Sequence, residues 1–323
     1  MSERFPDLQE AAAKLVAADE VVLTCHVGPD GDALGSMLAV AVAAVAAGKK
    51  VLPSFGPPFV LPPTYRFLPT DLLVPPEAVP PHPELMLSFD AAGLDRLSGM
   101  AGPATGAACL IVLDHHVAGS GGFGHLNLID TTAAATAEIA HALITAAGWP
   151  VDQVVAQCLL TGLVTDTGRF QYSNTRPETL RLAADLVAAG ASPDLIGRHI
   201  YEESPFRYLS VAARVLGRAQ LETRAALVWS ALYQSDLTEV GIEMTDTDPL
   251  IDLVRLPVEA RVALLLKEQA EGGFKASMRS RGEVDVGRIA ATQGGGGHHN
   301  AAGFSHAGPV DEIVAAVVAQ LST

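Results

Sequence analysis

The sequence has few aromatic and few charged residues, and it has only three cysteines. Aromatic residues make up 5% of the 323 residues and charged residues 18%, whereas 49% are hydrophobic. So much apolar content can offset the entropy lost on ordering the chain, which excludes a disordered protein. The core must therefore be built mainly from Ala, Val and Leu, and the length is sufficient for two domains.

An excess of positive charge and a long hydrophobic run are also missing. The net charge of −15 argues against a protein that coats long nucleic acid by general electrostatics. The longest apolar candidate, residues 33–48, is uncharged for 16 residues, and a bilayer span needs about 20. The N-terminus lacks the basic start and apolar stretch of a secretion signal. Three distant cysteines, Cys25, Cys109 and Cys158, predict reduced, buried thiols, so we expect a cytoplasmic protein without a membrane segment.

The first half of the sequence alternates strand and helix patterns. Apolar and β-branched runs predict strands at 21–25, 51–55, 85–89, 109–113 and 126–129. Helical patterns occur at 34–48, 136–147, 151–163 and 177–189. Strands this apolar, separated by helices, predict an α/β fold with a mainly parallel sheet between helices. Residues 53–83 hold 11 of the 21 prolines, which predicts an irregular surface segment.

The second half has a different pattern. Ser192-Pro193 is a typical start of a helix, and a second helical pattern runs over 205–221. Strand patterns follow at 225–233, 261–267 and 274–279, with Gly272-Gly273 as a turn, and a last helix is predicted at 310–321. We therefore predict an α/β domain at 1–190, a helical connector at 191–220, and a smaller α/β domain with a mixed sheet at 221–323.

Acidic residues and histidines cluster at or near the predicted strand ends. At such ends an open α/β sheet places its ligands. Imidazole and carboxylate together suit Mn²⁺, and also Zn²⁺ or Fe²⁺. A single aspartate after a strand is usually a turn or helix cap, but the conjunction of four clusters favours a metal site. The clusters are His26-x3-Asp30-x-Asp32, Asp90, Asp114-His115-His116 and Asp166.

A glycine run, residues 294–297, precedes His298-His299 in the second half. Successive glycines expose backbone N–H groups and permit close approach of an anion. The run is not a P-loop, because no Lys-Ser or Lys-Thr follows it. A flexible linker is the plainer alternative. We also expect four cationic residues of this half to form one basic patch that faces phosphate. They are Lys275, Arg279, Arg281 and Arg288.

The sequence resembles the DHH–DHHA1 phosphoesterases. The resemblance is to the branch of bifunctional oligoribonucleases (nanoRNases) and 3′-phosphoadenosine 5′-phosphate phosphatases, which includes bacterial cyclic-di-AMP phosphodiesterases. The motifs appear in the family's order and cover nearly the whole chain. They lie at 26–36, Asp90, 113–116, 130–132, 135–138, 161–170, 278–280 and 295–303.

The resemblance implies a centre of two divalent ions, most plausibly Mn²⁺. It implies that one ion is held by His26, Asp30 and Asp90. It implies that the other ion is held by Asp32, Asp90, His115 and Asp166, so that Asp90 bridges the two. Such a pair activates a hydroxide that attacks the phosphorus.

The resemblance also implies roles for residues around the metal ions. His116 would contact the scissile phosphate as a hydrogen-bond donor or acid, and Asp114 would orient the neighbouring histidines. Arg279 and His298 would hold the substrate's terminal phosphate and sugar across a cleft, and His298 is preferred over His299. The implied substrate-binding residues are Arg279, Ser280, Gly295, Gly296, Gly297 and His298.

Short RNA or a small nucleotide is the expected substrate, and long nucleic acid is not. Oligoribonucleotides, 3′-phosphoadenosine 5′-phosphate, linear di-adenylate and cyclic-di-AMP all remain open, because no residue separates them. A homodimer through the first domain is implied. The alternatives are an inorganic pyrophosphatase, which shares only the first-domain ligands, a RecJ-type exonuclease, which would carry added nucleic-acid modules, and a non-catalytic nucleotide-binding regulator.

Overall fold

A computed structural model of the chain describes residues 5–116 and 121–321. The chain divides into two compact units, Met1–Glu202 and Glu203–Thr323. The boundary falls inside the segment 191–220, for which the sequence predicts a connector. The first unit holds a parallel sheet and the second a mixed sheet, so the predicted α/β fold class is confirmed.

The first unit is built on five parallel strands in the order β2-β1-β3-β4-β5. All five predicted strands are found, with ends that differ by at most one residue. Their apolar side chains are buried almost without interruption, as expected of a parallel sheet covered by helices. The strands are β1 (Glu20–Cys25), β2 (Lys50–Phe55), β3 (Leu85–Phe89), β4 (Cys109–Asp114) and β5 (Leu126–Ile129).

Within the described residues of this unit, seven α-helices accompany the sheet. They are α1 (Leu8–Ala17), α2 (Gly31–Ala46), α3 (Ala101–Gly106), α4 (Thr136–Ala146), α5 (Gln153–Asp166), α6 (Pro177–Ala188) and α7 (Pro193–Ile196). The apolar run in α2 is explained by burial: α2 packs against α4, α5 and the sheet. Gly35 is required there, because a Cβ at this position would collide with the backbone oxygen of Cys158 in α5.

Three further sequence expectations concern the first unit. The proline-rich segment 53–83 forms three single 3₁₀ turns after β2, which confirms its irregular character. All three cysteines are free; Cys25 and Cys158 are buried, whereas Cys109 is partly exposed at the start of β4, which corrects that part of the prediction. Across 5–116 and 121–321, every helix is too short or too polar to cross a bilayer.

The second unit is a six-stranded sheet in the order β10-β11-β9-β8-β7-β6. Only β7 and β8 are parallel neighbours, and the other pairs are antiparallel. The strands are β6 (Gln220–Glu222), β7 (Leu227–Leu232), β8 (Val262–Glu268), β9 (Phe274–Ser280), β10 (Gly296–His298) and β11 (Ala301–His306). The helices are α8 (Tyr208–Gly217), α9 (Gln234–Val240), α10 (Leu250–Val254), α11 (Val286–Thr292) and α12 (Val310–Leu321).

The helices cover the two faces of this sheet unequally. Helices α11 and α12 form a core with alternate residues of β9 on one face. Helices α8, α9 and α10 pack on the other face, over β7 and β8. One expectation is corrected: the helix predicted for 205–221 spans Tyr208–Gly217. The alternative of a flexible linker at the glycine run is excluded, because Gly296 and Gly297 belong to the β10–β11 hairpin. A three-residue strand of small residues has no side-chain alternation by which the sequence could reveal it.

Candidate metal centre

His26 and Asp30 lie where β1 leads into α2. The Nδ1 atom of His26 is 3.1 Å from the carbonyl oxygen of Val27, which can only accept, so Nδ1 carries the hydrogen and Nε2 is the free ring nitrogen. This Nε2 lies 3.8 Å from Asp30 Oδ1 and 3.5 Å from Asp90 Oδ2. Asp30 is at the same time the N-cap of α2, because its Oδ1 accepts from the backbone N–H of Asp32 and Ala33.

Asp32 is fully buried between two helix N-termini. It belongs to the first turn of α2, and its carboxylate accepts from the N–H groups of Thr136 at 2.6 Å and Ala137 at 3.0 Å, which begin α4. Ser36 Oγ donates to the same carboxylate. Exposed N–H groups at helix starts stabilise a negative charge. Burial and then the charges of neighbouring carboxylates nevertheless raise the pKa of Asp32 well above its usual range, so this site favours a cation.

Asp90 stands at the centre of the cluster, directly after β3. Its carboxylate lies 3.5 Å from the Nε2 atoms of both His26 and His115, and it accepts from Thr136 Oγ1 at 2.9 Å. The backbone of Asp90 has a φ of 55°, which is uncommon for a residue other than glycine. Backbone strain of this kind persists where the surroundings fix a side chain in place. Asp90 is 2% exposed and is fixed in this way.

Asp114 is the last residue of β4, and His115 and His116 follow it directly. The Nδ1 atom of His115 is 3.2 Å from the carbonyl oxygen of Ala133, so its Nε2 faces the carboxylates, with Asp166 Oδ2 at 3.1 Å. The Nδ1 atom of His116 is 2.7 Å from Asp114 Oδ1, so Asp114 orients His116 rather than His115. Both histidines therefore have their Nδ1 atom held by a hydrogen bond, which fixes the orientation of each ring.

Asp166 corrects one expectation about the site. We expected each cluster to follow a strand, but Asp166 is the last residue of helix α5. The helix continues three residues beyond the predicted end at 163, and its close packing on α2 carries Asp166 to His115. A Cβ at Gly31 would come within 2.5 Å of Thr165 Cγ2, so glycine at this place lets the two helices approach.

The predicted metal ligands meet in three overlapping groups whose ligand atoms lie within 4.8 Å of one another. These groups are His26–Asp30–Asp90, Asp32–His115–Asp166 and Asp90–His115–His116. Mixed imidazole nitrogen and carboxylate oxygen donors fit a divalent metal ion. Asp90 and His115 each belong to two groups, so the groups form one continuous centre.

Burial and the neighbouring carboxylates have opposite effects on the histidines of the centre. Burial lowers the pKa of His26, but hydrogen bonds and charges from Asp30 and Asp90 outweigh it and raise that pKa well above its usual range. The same balance of burial and carboxylate partners, Asp166 first, raises the pKa of His115. Burial opposes ionisation of Asp90, yet the His26 hydrogen bond and the histidine charges lower its pKa. A divalent cation would replace the protons on the histidines.

Sequence reasoning missed the residues that anchor the loop between β5 and α4. This loop presents the Ala133 carbonyl to His115 and the Thr136 amide to Asp32. Buried Glu138 fixes it by accepting from Thr179 Oγ1 at 2.6 Å and Arg176 Nη2 at 2.8 Å. The segment 135–138 carried the family resemblance, but nothing in the sequence connected it to residues about 40 positions later.

We expect Glu138→Gln to destabilise the first unit, because it leaves Arg176 with a neutral partner in a buried site. The free energy of unfolding should fall by about 1–3 kcal/mol, as for a lost charged hydrogen bond, and urea denaturation measures it. Glu178→Gln is the matched control: Glu178 pairs with Arg181 on the exposed face of α6, and its loss should not change the midpoint. Equal midpoints for both variants would contradict the anchoring role of Glu138.

The predicted substrate-binding residues of the second unit are not all brought together. Arg279 is half-buried in β9, and its Nη1 donates to the carbonyl of Met278. Ser280 follows it on the strand and points to the opposite face, where it is buried and hydrogen-bonded to Asn300 and to the His299 carbonyl. Ser280 therefore supports the hairpin and does not share a face with Arg279.

The glycine run and the two histidines after it differ in their surroundings. Gly295 and Gly297 are crowded by residues of their own hairpin, whereas the space beside Gly296 is open. The Nε2 atom of His299 lies 3.3 Å from the Gly282 carbonyl, and its Nδ1 lies 3.7 Å from Asp285. The side chain of His298 lies outside the described part of the structure.

The predicted basic patch is also corrected. Arg281 donates to backbone carbonyls of Arg255, Leu256 and Pro257, which engages it in holding a turn. Arg288 lies on α11, which covers the sheet face opposite to that of Arg279. Of the four, Lys275 and Arg279 lie on the same face of β9 with side chains that are not engaged in holding a turn or on α11.

Two alanine substitutions separate the structural from the open glycines. A Cβ at Gly295 would lie 2.5 Å from Phe304 Cβ and would also meet the Gly303 carbonyl, whereas a Cβ at Gly296 meets nothing within 4 Å. We expect Gly295→Ala to lower the free energy of unfolding by about 1–3 kcal/mol through overpacking. Gly296→Ala should leave it unchanged in the same urea titration, and equal losses would contradict this distinction.

A parallel α/β domain that presents carboxylates and imidazoles at the carboxyl edge of its sheet is typical of metal-dependent phosphoesterases. Comparison with known proteins gives the family. The model of the DHH family, N-terminal domain, matches residues 20–163, and the model of the DHHA1 domain matches residues 232–323. The chain belongs to the DHH family of phosphoesterases.

Relatives and a solved structure agree with this assignment. The bifunctional oligoribonuclease and PAP phosphatase NrnA of Thermus thermophilus is 35% identical over 305 residues, 93% of this chain and 89% of that protein. The protein of the same name from Bacillus subtilis is 26% identical over 292 residues, 89% of each chain. A crystal structure of an exopolyphosphatase-related protein from Bacteroides fragilis has the same fold, with a TM-score of 0.87, 23% identity, and coverage of 98% of this chain and 97% of that chain.

The chain is therefore an enzyme that hydrolyses phosphoric esters, as the sequence predicts, and the alternative of a non-catalytic regulator is excluded. Phosphoesterases of this family use divalent metals, and the clusters around Asp90 can bind metal.

Proposed function

We propose that this enzyme hydrolyses short oligoribonucleotides and PAP (3′-phosphoadenosine 5′-phosphate), and that it uses two Mn²⁺ ions. The observation that carries the proposal is the place of Asp90, whose two carboxylate oxygens face different histidines, Oδ2 toward His26 and Oδ1 toward His115. A carboxylate placed in this way is suited to bridge two cations. The names of the relatives from Thermus thermophilus and Bacillus subtilis support the substrate class.

Two sets of residues would hold the ions. His26, Asp30 and Asp90 would hold one, and Asp32, Asp90, His115 and Asp166 the other. When bound, such ions supply Lewis acidity that lowers the pKa of a water and offsets the charge of a phosphate. The hydrogen bonds from Val27 and Ala133 carbonyls keep the Nε2 atoms of both histidines directed at the centre. Asp32 is held rigid by the start of α4.

His116 would act on the leaving group. Asp114 holds its Nδ1–H at 2.7 Å and thereby fixes the ring, so Nε2 can donate a hydrogen bond or proton to the leaving oxygen. A buried carboxylate beside an imidazole also stabilises the imidazolium form. Asp114 therefore has a positioning role, and His116 a catalytic one.

The second unit would bind the substrate. Arg279 provides a planar cation that matches a phosphate, and the open backbone at Gly296 allows a ligand to approach the chain closely. By family resemblance, His298 joins them at the terminal phosphate and sugar. Linear di-adenylate and cyclic-di-AMP remain proposed substrates, and the resemblance supports a cytoplasmic homodimer formed through the first unit.

A substrate panel tests this function. The purified enzyme with Mn²⁺ is assayed on a riboadenylate pentamer, PAP, linear di-adenylate, cyclic-di-AMP and pyrophosphate, ranked by kcat/KM. We expect the pentamer and PAP to exceed pyrophosphate by at least about 100-fold, or about 2.7 kcal/mol in transition-state binding. Asp90→Asn, prepared in parallel, controls for contaminating nucleases. A highest rate on pyrophosphate would overturn the proposal.

A further inference from the structure

One face of the second unit's sheet stays open over its outer strands. Alternate residues of β9, from Phe274 to Met278, pack into the core with α11 and α12, so the residues between them face the other side. On that side α8, α9 and α10 pack over β7 and β8, and α10 also contacts β9. Lys275 is exposed there, and Ser277 and Arg279 are half-exposed.

The neighbouring strand β11 presents only small side chains on this face. In β11, Ala301 pairs with Arg279, Gly303 with Ser277 and Ser305 with Lys275. Backbone groups within the sheet are occupied by the strand ladder, so a ligand lying here finds its polar contacts at the side chains of β9. We call this surface the basic shelf, and it consists of Lys275, Ser277, Arg279, Ala301, Gly303 and Ser305.

A third cation stands at one end of the basic shelf. Lys267 in β8 lies directly opposite Lys275 in the antiparallel register, and like charges placed in this way are destabilising. Only Lys267 is compensated: it is buried, and its Nζ lies 2.6 Å from Oδ1 of Asp248. Within the residues that the structure describes, Lys275 forms no salt bridge, so its positive charge is available to an anion.

The two cations of β9 also affect Lys267. Burial lowers the pKa of Lys267, Asp248 opposes this effect, and the charges of Lys275 and Arg279 lower the pKa further. With Lys267 paired to Asp248, Lys275 and Arg279 are the cations that the shelf offers to an anion, in a chain whose net charge is −15.

We propose that Lys275 binds a second phosphate of an oligoribonucleotide whose terminal phosphate is held at Arg279, and that the shelf thereby favours substrates of several nucleotides. This inference rests on the proposed function. Positions 275 and 279 are four residues apart on an extended strand, or about 13 Å, so the two cations serve different phosphates. PAP has both of its phosphates on one nucleoside and is too short to extend along the shelf.

The experiment compares kcat/KM for a riboadenylate pentamer and for PAP at several salt concentrations, with saturating Mn²⁺. We expect Lys275→Gln to lower the pentamer-to-PAP ratio at least about fivefold through KM. For the pentamer, the slope of log kcat/KM against log salt should become shallower by about 0.7, the value for one phosphate contact on a single strand.

Two further variants test whether the pentamer-to-PAP ratio depends on charge at this end of the shelf and not on charge elsewhere in the second unit. Asp248→Asn removes the negative charge at the same end and keeps an oxygen acceptor for Lys267, so the ratio should rise at least about twofold by reduced repulsion. Arg288→Gln removes a cation from α11 over the covered face and should leave the ratio unchanged. An unchanged ratio and slope for Lys275→Gln, or equal losses on both substrates, would overturn the inference. Hydrolysis of neither substrate by the unaltered enzyme would instead refute the proposed function.

Discussion

Replacing Asp90 by asparagine is expected to lower kcat at least about 1,000-fold, which corresponds to about 4 kcal/mol of transition-state stabilisation. Asparagine has the same shape but no charge, and Asp90 is shared by two of the three ligand groups. The single change therefore weakens both proposed ion sites at once. Single-turnover and steady-state rates on the pentamer at saturating Mn²⁺ measure it.

Stability measurements separate this loss from misfolding. Without metal, Asp90→Asn removes a carboxylate whose ionised form the surrounding histidines stabilise, so its melting temperature should fall, and the quantity compared is the shift caused by Mn²⁺. The rise in melting temperature that Mn²⁺ gives the unaltered protein should shrink, because ligands that bind only the folded state stabilise it in proportion to their affinity. Asp152→Asn is the control: Asp152 caps α5 outside the clusters, and this variant should keep its activity and its metal response. Full activity of Asp90→Asn would contradict the bridging role.

Replacing His116 by glutamine is expected to lower kcat on RNA about 100- to 10,000-fold, the usual range for loss of a general acid. Asp114→Asn should cost about 10- to 100-fold, because it disturbs only the partner that orients the ring. A nucleotide p-nitrophenyl ester tests whether His116 acts as a proton donor, because its leaving group needs no proton.

With this activated ester, the loss caused by His116→Gln should shrink to less than about tenfold. The Asp114→Asn variant should show the same trend, since it acts through the same imidazole. If His116→Gln lowers kcat on the ester as much as on RNA, His116 does not donate a proton to the leaving group. It then supports the metal centre, since it is grouped with Asp90 and His115.

The parallel sheet and most of the metal centre were predictable from the sequence, because both follow from the composition of short segments and from the residues at their ends. Buried apolar strands differ from their surroundings in composition, and parallel strands place their carboxyl ends at one edge. The residues following β1, β3 and β4 were therefore predicted to approach one another, and His26, Asp90 and His115 do so. The helix start at Asp30 was visible as a polar loop before an apolar run.

The remaining features depend on contacts between distant residues. Asp166 reaches the centre because α5 packs closely on α2, and Glu138 meets Arg176 only after the fold forms. In the second unit, strand alternation places Ser280 away from Arg279, and the register of β8 with β9 sets Lys267 against Lys275. Spacing along the chain could not show these contacts, because helix packing and strand register are set by residues far apart in the sequence.

A metal titration tests most directly whether these residues form one two-ion centre on which hydrolysis depends. Protein freed of metal by chelation is titrated with Mn²⁺, and bound metal and pentamer hydrolysis are determined on the same samples. We predict no activity without metal, binding of two equivalents per chain, and full activity only when both are bound. Full activity in the metal-free protein, or with a single equivalent bound, would contradict a two-ion centre on which hydrolysis depends.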